Sequence, residues 1–288
     1  MVQTKTNSGR VWITGAGGLI GNCLATSPAV EAGRFEIIPL THQTIDLTDF
    51  AAVEQRFRTE SPAIVLHCGA MTKVPQCQAN PALAKKVNID ATAHLAGLAK
   101  DAAFVFFSTD LVFDGRKGNY SETDAINPMS AYADTKAQAE QIVLANPRHT
   151  VIRTSLNSGA SPKGMAYNEM FLVAWKKSET LHLFTDEFRC PIPASVTARA
   201  IWELVGGGQA GLYHLAGSER LSRAALGRLS AERHPEIRAL IEHCSLREYQ
   251  GPPRPPDTSL NCSKIQRLLS FPLPGLTQYL RAHPEEPF

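Results

Sequence analysis

The stretch VWITGAGGLIG, residues 11–21, joins a short apolar run to four glycines within seven residues. The apolar run is typical of a fully buried strand, and residues 19–25 are typical of a helix that packs against a sheet. Glycine permits a positive φ and lets the backbone approach a bulky anion closely. The stretch therefore predicts a strand that turns sharply into a helix.

The glycine spacing also suggests a ligand, because amides at a helix N-terminus and the helix dipole favour a pyrophosphate there. Doubly wound α/β folds bind dinucleotides in this way. A glycine-rich turn in an ordinary strand–helix unit is the alternative, so the motif stays a hypothesis until its surroundings agree. The cofactor-binding residues predicted from it are Gly15, Gly18, Leu19, Ile20 and Gly21.

The composition fits a globular protein with a substantial core, since 43% of the 288 residues are hydrophobic. The 29 basic and 27 acidic residues are well mixed, which argues against nucleic acid and membrane surfaces as partners. Six cysteines without CxxC pairs and nine histidines without ligand spacing predict reduced core thiols and no metal site. A polar N-terminus and the lack of a long apolar run favour a soluble cytoplasmic protein.

Residues 35–40 predict a second strand, and its end should face the adenosine ribose of a dinucleotide. An acidic residue there accepts the ribose hydroxyls of NAD and repels the 2′-phosphate of NADP. The polar residues 41–44 contain no acid, which favours NADP(H), and they contain no arginine or lysine, which leaves NAD(H) open. We assign His42 to the 2′-phosphate and Asp46, or a plain turn in its place, to the adenine. Leu47 is included among the cofactor-binding residues.

Two further buried strands are predicted at residues 63–68 and 104–107. Small residues at a strand's carboxyl end leave room for a cofactor to cross the sheet, and strand ends carry the chemistry of such folds. Thr109, beyond the second of these strands, is therefore a candidate for catalysis. The residues assigned to the cofactor on the same ground are Cys68, Gly69, Ala70 and Ser108.

Three helices are predicted in this half of the chain: residues 51–58 with Asp49 as N-cap, residues 81–99, and Asn127 to about Leu144. The last contains Tyr132 and Lys136, which share one helix face at a spacing of i and i+4 and can reach one site. A chance surface pair is the equal alternative on this spacing alone.

The predicted fold is α/β, a Rossmann-type doubly wound parallel sheet with a smaller, mostly helical C-terminal substrate-binding part. Strands at 150–154, 181–184 and 212–215 and a helix at 195–204 are assigned to the dinucleotide-binding domain. Residues 114–127 are predicted to form a surface loop. The domain bounds are 1–156 and 181–217 for dinucleotide binding, and 157–180 and 218–288 for substrate binding.

Four signals in order resemble the extended short-chain dehydrogenase/reductase family: the glycine turn, residues 68–70, residues 108–110 and YADTK at 132–136. The closer resemblance is to the RmlD-type dTDP-4-dehydrorhamnose reductases, and it covers most of the chain. It rests on STDLVFDG (108–115), NPMSAY (127–132), RTS (153–155), DEFRCP (186–191), Arg254-Pro255 and Ser263-Lys264.

The resemblance implies that Thr109, Tyr132 and Lys136 are catalytic, with Tyr132 and Lys136 also at the cofactor. A phenol with a free pKa of about 10 releases its proton more readily beside a cation, which makes Tyr132 the proton donor and Lys136 its cation. By resemblance Lys136 also binds the nicotinamide ribose, and Thr109 donates a hydrogen bond to the carbonyl oxygen. A strand-end hydroxyl that bonds to backbone is the alternative for Thr109.

Two positions depart from the family pattern, since Leu111 stands where tyrosine is expected and Leu156 where tryptophan is usual. The resemblance thus implies a nucleotide-linked 4-keto sugar as the substrate, and the two departures leave open which sugar it is. Arginine suits its pyrophosphate because guanidinium binds phosphate oxygens in pairs, although solvated loop arginines are a near-equal alternative. The residues assigned to the substrate are Thr72, Asp110, Leu111, Leu156, Arg189 and Arg254.

Two other functions fit the same resemblance. An epimerase or dehydratase would keep NAD bound and show no net oxidation of free cofactor. A non-catalytic regulatory subunit, similar to the β subunit of methionine adenosyltransferase, would bind cofactor without turnover, because a fold alone proves no function. A homodimer is compatible with all three.

Overall fold

The computed structural model describes residues 9–27 and 35–288. In chain order the strands are β1 (Arg10–Thr14), β2 (Glu36–Leu40), β3 (Ile64–His67), β4 (Ala103–Thr109), β5 (His149–Thr154), β6 (Asn157–Ser158), β7 (Leu181–Phe184), β8 (Phe188–Arg189), β9 (Ile192–Pro193), β10 (Gly211–Leu215), β11 (Leu221–Ser222) and β12 (Ile241–Cys244).

The α-helices described are α1 (Leu19–Ala25), α2 (Phe50–Glu60), α3 (Val74–Ala79), α4 (Pro81–Lys85), α5 (Ala91–Leu98), α6 (Ala131–Leu144), α7 (Tyr167–Lys176), α8 (Ala194–Gly206), α9 (Arg223–Arg233), α10 (Ser263–Gln266) and α11 (Leu276–Ala282). A π-turn, Lys86–Asp90, joins α4 to α5, so the helix predicted at 81–99 is continuous but locally widened. Asp49 caps α2 as predicted, because its carboxylate accepts a hydrogen bond from the Ala52 amide at 3.1 Å.

Six parallel strands form the main sheet, in the order β10-β5-β4-β3-β1-β2. The order reverses beside β1, which is the topological switch point where doubly wound folds bind ligands. The prediction of a Rossmann-type α/β sheet is confirmed. The glycine turn follows β1 at this switch point, and residues 68–70 follow the neighbouring β3.

Alternate residues of each strand enter cores on opposite faces of the sheet, as the two-residue period of a strand requires. In β1, Val11 and Ile13 pack on one face, where helix α8 contributes Trp202. Trp12 packs on the other face, where helix α6 contributes Val143. Helices therefore cover both faces, and they leave the carboxyl ends of the strands open for a site.

A third apolar cluster joins α7, α9 and α11. Strand β7 belongs here, because it pairs with β12 in a separate two-stranded sheet. Its assignment to the main sheet was wrong, since Leu183 packs with Phe171 and Leu226 of this helical cluster. Within the described ranges, no helix is long and apolar enough to cross a membrane.

Two boundaries differ from the prediction. Helix α6 begins at Ala131 and not at Asn127, because Ser130 is extended and its hydroxyl accepts from the Ala133 amide as N-cap. The segment 114–127 is not a free surface loop, since Tyr120 is buried, stacks on Phe113 and pairs through its backbone with residues 259–261.

Candidate active site

The glycine turn packs tightly against the end of β3. Gly15 has φ +66°, and a Cβ there would lie 2.7 Å from the Gly69 nitrogen. A Cβ on Gly21 would lie 2.4 Å from the carbonyl oxygen of Gly15. Both positions therefore require glycine, one for backbone conformation and one for contact between helix and turn.

The two inner glycines leave the outer side of the turn open. Gly18 is the extended N-cap of α1, and a Cβ on Gly17 would meet only the Thr41 side chain, 3.8 Å away. Thr41 follows β2, so the open side lies between the start of α1 and the end of β2. The backbone there fits a dinucleotide pyrophosphate, with Leu19 and Ile20 in the first turn of α1.

Beyond β2, His42 and Asp46 are exposed. Hydrogen bonds from the Thr48 amide and hydroxyl, both 2.9 Å long, lower the pKa of Asp46, which forms a turn. Leu47 lies against the cofactor side of β3, because a Cβ on Gly69 would approach Leu47 Cδ1 to 2.7 Å. The residues predicted for the adenosine end thus lie in one loop after β2.

The end of β3 is held in place by polar contacts. The Gly69 amide donates to Thr14 Oγ1 at 3.1 Å, and the same hydroxyl hydrogen-bonds His67 Nδ1 at 2.7 Å. Cys68 is half-buried, and burial raises the pKa of its thiol, so it stays neutral beside Lys136. Ala70 follows, also half-buried, at the predicted crossing point of the cofactor.

The three predicted catalytic side chains converge at the end of β4 and the start of α6. Thr109 and Tyr132 are both nearly buried, and the Thr109 hydroxyl hydrogen-bonds the phenol oxygen, which partly offsets the rise in the pKa of Tyr132 caused by burial. Lys136 is 2% exposed, its Nζ lies 3.8 Å from the centroid of the Phe106 ring, and burial lowers its pKa to about 7. The i, i+4 spacing places both residues on one face of α6, where Tyr132 contacts Thr109 and the Lys136 ammonium lies over the Phe106 ring.

Asn88 braces the helix that carries this site. Its side chain accepts from the Met71 amide at 2.8 Å and donates to the Met71 carbonyl and to Thr135 Oγ1, each at 3.0 Å. Thr135 in turn donates to the carbonyl of Tyr132 at 2.7 Å. Asn88 thus connects the loop after β3 to the first turn of α6.

A buried ion pair lies one turn beyond Lys136. Glu140 accepts two hydrogen bonds from Arg153 Nε and one of 2.7 Å from its Nη2, and both side chains are almost fully buried. Ser108 donates its hydroxyl to Glu140, so the side chain assigned to the cofactor is engaged within the protein. The sequence contained a signal for Glu140, since it continues the i, i+4 series of Tyr132 and Lys136.

Asp110 lies behind Thr109 in a buried polar network. Its carboxylate accepts from Ser155 Oγ at 2.7 Å, from Thr258 Oγ1 at 3.0 Å and from Thr109 Oγ1 at 3.3 Å. Arg189 Nε lies 3.7 Å away. Burial raises the pKa of Asp110, and Arg189 opposes that rise. Asp110 therefore holds neighbouring side chains in place.

A small pocket with a cavity volume of about 80 Å³ opens beside this network. Arg254 is at its rim and forms a bidentate pair with Glu187, with distances of 2.6 and 3.1 Å. Arg189 also contacts Glu187, at 3.2 Å. Neighbouring guanidinium groups hold the pKa of Glu187 below its usual range despite burial. The residues that line the pocket are Val74, Leu111, Met129, Ser130, Arg189, Pro253, Arg254 and Pro255.

The other residues assigned to the substrate divide between this pocket and its surroundings. Leu111 lines the pocket and packs in one cluster with Tyr132. Leu156 is not among the lining residues and packs against the helical cluster of α7, α9 and α11. Thr72 is exposed, next to the loop residue that Asn88 fixes.

Comparison with known proteins agrees with this arrangement. The chain is 30% identical over 274 residues to a dTDP-4-dehydrorhamnose reductase of Aggregatibacter actinomycetemcomitans, covering 90% of this chain and 92% of that protein. A dTDP-4-dehydrorhamnose reductase structure from Clostridium acetobutylicum superposes with a TM-score of 0.84 at 26% identity, covering 95% and 99% of the two chains.

A second structure, the Bacillus anthracis dTDP-4-dehydrorhamnose reductase in complex with NADP, has a TM-score of 0.85 at 24% identity, covering 96% and 98% of the two chains. At that identity the likeness concerns the fold. The family model described as the RmlD substrate binding domain matches residues 9–285. With nearly the whole chain matched, this protein belongs to the RmlD family.

Proposed function

We propose that this protein is a reductase that uses NADPH to reduce the 4-keto group of a nucleotide-linked sugar. The observation that supports the proposal is the contact of Thr109 with Tyr132 at the carboxyl edge of the sheet that also carries the glycine turn, with Lys136 one turn further along α6. The relatives named dTDP-4-dehydrorhamnose reductase, one of them solved in complex with NADP, support both the reaction and the cofactor.

The chain's own residues supply a proton and hold the carbonyl. A bound nicotinamide would supply the hydride. Burial raises the pKa of Tyr132, so the phenol keeps its proton at neutral pH until an alkoxide, a stronger base, forms beside it. Thr109 donates to the same oxygen as charge develops. The Lys136 ammonium stabilises the phenolate that remains.

The preference for NADPH rests on the loop after β2. His42 is exposed there, and the first carboxylate beyond β2, that of Asp46, accepts two hydrogen bonds from Thr48. Because the Asp46 carboxylate already accepts these hydrogen bonds, it is less available to the ribose hydroxyls of NAD. The imidazole of His42 can donate an N–H hydrogen bond to an oxygen of a 2′-phosphate. We infer that NADPH binds at least as tightly as NADH.

We infer that the substrate's sugar lies against Leu111 and its phosphates near Arg254, since both residues line this pocket. Residues 157–180 and 218–288 then form the substrate-binding part, and residues 1–156 and 181–217 hold the cofactor. Strand β7, at 181–184, is the exception, since it packs with the substrate-binding part. A cytoplasmic location and a homodimer remain predictions.

The deciding experiment is steady-state oxidation of free NADPH with a panel of nucleotide-linked 4-keto sugars. A reductase consumes one NADPH for each keto group reduced. An epimerase or dehydratase converts its substrate with no net consumption. A regulatory subunit binds NADPH, reduces none of the sugars and copurifies with a partner enzyme. Tyr132→Phe is the control, because it should abolish any genuine NADPH oxidation.

A further inference from the structure

The phenyl ring of Phe106 faces the ammonium of Lys136 in the proposed active site. Phe106 lies in β4 and is fully buried, and Lys136 Nζ lies 3.8 Å from the centroid of its ring. A cation within about 6 Å of a ring centroid is attracted by the negative face of the ring, more strongly where water is excluded. Lys136 is almost fully buried, so its ammonium meets both conditions.

The acid that follows Lys136 on the same face of α6 is bonded elsewhere. Glu140 lies one turn further along the helix, and its carboxylate accepts hydrogen bonds from Arg153 and from Ser108. None of the ion pairs in the described part of the chain includes Lys136, whereas Glu140 pairs with Arg153 at 2.7 Å. A buried ammonium without a bonded carboxylate needs another source of stabilisation.

The other titratable groups that face Lys136 carry no negative charge. Burial, together with the nearby Lys136, lowers the pKa of His67 to about 3, so its imidazole is neutral. Burial raises the pKa of the Cys68 thiol and of the Tyr132 phenol, and both keep their protons. Among the described residues, Glu140 is thus the one carboxylate that acts on Lys136, and Arg153 shares its charge.

The Phe106 ring is held in place by its neighbour in β3. Phe106 and His67 are register partners in the sheet, and their ring centroids lie 5.8 Å apart with the planes inclined by 27°. His67 hydrogen-bonds Thr14 Oγ1 through Nδ1 at 2.7 Å and Thr92 Oγ1 through Nε2 at 2.9 Å. The imidazole, fixed at both nitrogens, packs against the phenyl ring and keeps its face toward Lys136.

We propose that Phe106 is a positioning residue of the reductase, whose ring face holds the Lys136 side chain in its charged form at the site. An aliphatic residue would fill the same place in the core but would offer the ammonium no negative face. The proposal rests on the proposed function for the task of Lys136. The contact itself can be measured without substrate, cofactor or turnover.

The test replaces Phe106 by phenylalanine with one, two or three fluorine atoms, which weaken the negative face stepwise and change the shape little. In the unliganded full-length protein, NMR titration of the Lys136 Cε carbon follows the pKa, and Lys136→Met identifies the signal. A weaker face favours the ammonium less, so the pKa should fall from its value of about 7 with each fluorine. We expect a fall of about one pH unit over the series. Phe106→Leu should lower the pKa at least as far.

The matched control is Phe104, which is equally buried and packs on the same face of β4. Its ring contacts the rings of His67 and His149, so the same fluorine series there should leave the pKa of Lys136 unchanged. At about pH 8, NADH affinity should fall by up to about tenfold in the Phe106 series and stay constant in the Phe104 series. A melting curve for each protein separates lost binding from lost folding.

An unchanged pKa of Lys136 across the Phe106 series, or an equal fall in the Phe104 series, would overturn the role of Phe106. If Phe106→Leu does not fold, the fluorinated proteins, whose shape is nearly that of the wild type, decide alone. The proposed function fails independently, when the pKa follows the fluorine content but the protein reduces no nucleotide-linked keto sugar. Reduction of such a sugar by a protein whose Lys136 ignores the fluorine content leaves the function standing and removes the role of Phe106.

Discussion

Arg189 Nε lies 3.7 Å from the carboxylate of Asp110, the residue that directly follows Thr109 in the chain. Both had been assigned to the substrate. The pair also joins the end of β4 to β8, and Thr258 Oγ1 adds a hydrogen bond of 3.0 Å from the C-terminal part. The contact therefore fixes the proposed carbonyl-binding hydroxyl of Thr109 relative to the substrate pocket.

The first prediction concerns this pair. Asp110→Asn keeps the size of the side chain and removes the charge that faces Arg189. It also replaces one of the two acceptor oxygens by an amide NH₂ donor, so the hydroxyls of Thr109, Ser155 and Thr258 cannot all keep their acceptor. We expect kcat to fall about tenfold with little change in KM, and the protein to lose about 1–3 kcal/mol of stability. Steady-state kinetics and thermal melting check this. Asp124→Asn, which breaks the surface pair with Lys117, is the control. A raised KM at unchanged kcat would instead assign Asp110 to the substrate.

Local signals explain what the sequence could predict. The glycine turn, the apolar strands and the i, i+4 pair of Tyr132 and Lys136 depend on residues close in the chain, and the structure brings them to one edge of the sheet. Even the N-cap Asp49 could be identified, because its partner is the amide of Ala52. Local signals did not decide every boundary, since the N-cap Ser130 places the start of α6 at Ala131 and not at the predicted Asn127.

The remaining features depend on pairings that no local pattern encodes. Strand β7 pairs with β12 across about 60 residues, so an apolar run alone could not tell the main sheet from a separate one. The sequence assigned Arg189 to the substrate because its guanidinium suits a pyrophosphate. It could not show that Arg189 contacts Asp110 and Pro255, because these partners lie far away in the chain.

The second prediction distinguishes a glycine of the turn that is needed for dinucleotide binding from one that is needed for folding. Gly18→Val should abolish dinucleotide binding while the fold survives, since Gly18 has an extended backbone and its Cβ would lie 3.3 Å from the Gly15 oxygen. Gly21→Ala should unfold or strongly destabilise the protein, because its Cβ would overlap that oxygen at 2.4 Å. Calorimetry with NADPH and thermal melting distinguish the two. Gly97→Ala, with nothing within 4 Å of its Cβ, is the control. Retained NADPH binding by Gly18→Val would remove the turn from the site.

The third prediction concerns the proton donor. Tyr132→Phe keeps the ring and its packing but deletes the hydroxyl that bonds Thr109. Loss of a positioned general acid costs about 10²–10⁴-fold, so turnover should fall by that factor while NADPH affinity barely changes. Single-turnover reduction of a substrate, with calorimetry in parallel, measures both. Turnover at the wild-type rate would show the proposed mechanism to be wrong.

The fourth prediction concerns cofactor choice. His42 is exposed next to the loop that Asp46 and Thr48 fix. If it contacts the 2′-phosphate, His42→Ala should weaken NADPH about tenfold and leave NADH unchanged, because only NADPH carries that group. The ratio of the two dissociation constants is the measurement. Equal weakening of both cofactors, or a clear preference of the wild type for NADH, would contradict the role.

The last prediction concerns the lowered pKa of Lys136. Burial lowers its pKa to about 7, while Glu140 and Cys68 oppose that effect. The ammonium is therefore present below about pH 7 and is lost as the pH rises above it. A cofactor that binds the charged form will raise this pKa and bind more weakly at high pH, by at most about tenfold per pH unit.

NADH is the suitable probe for Lys136, because it lacks a 2′-phosphate that would itself titrate nearby. We expect its affinity to decline between about pH 6 and pH 8.5 in the wild type, with uptake of protons on binding above neutrality. Lys136→Met should bind weakly with little pH dependence, and it should also lose turnover because the phenolate of Tyr132 has no cation. Lys100→Met, at an exposed position, should follow the wild type. A flat wild-type profile would mean that the ammonium does not contact the cofactor, and Lys136 would then act on Tyr132 alone.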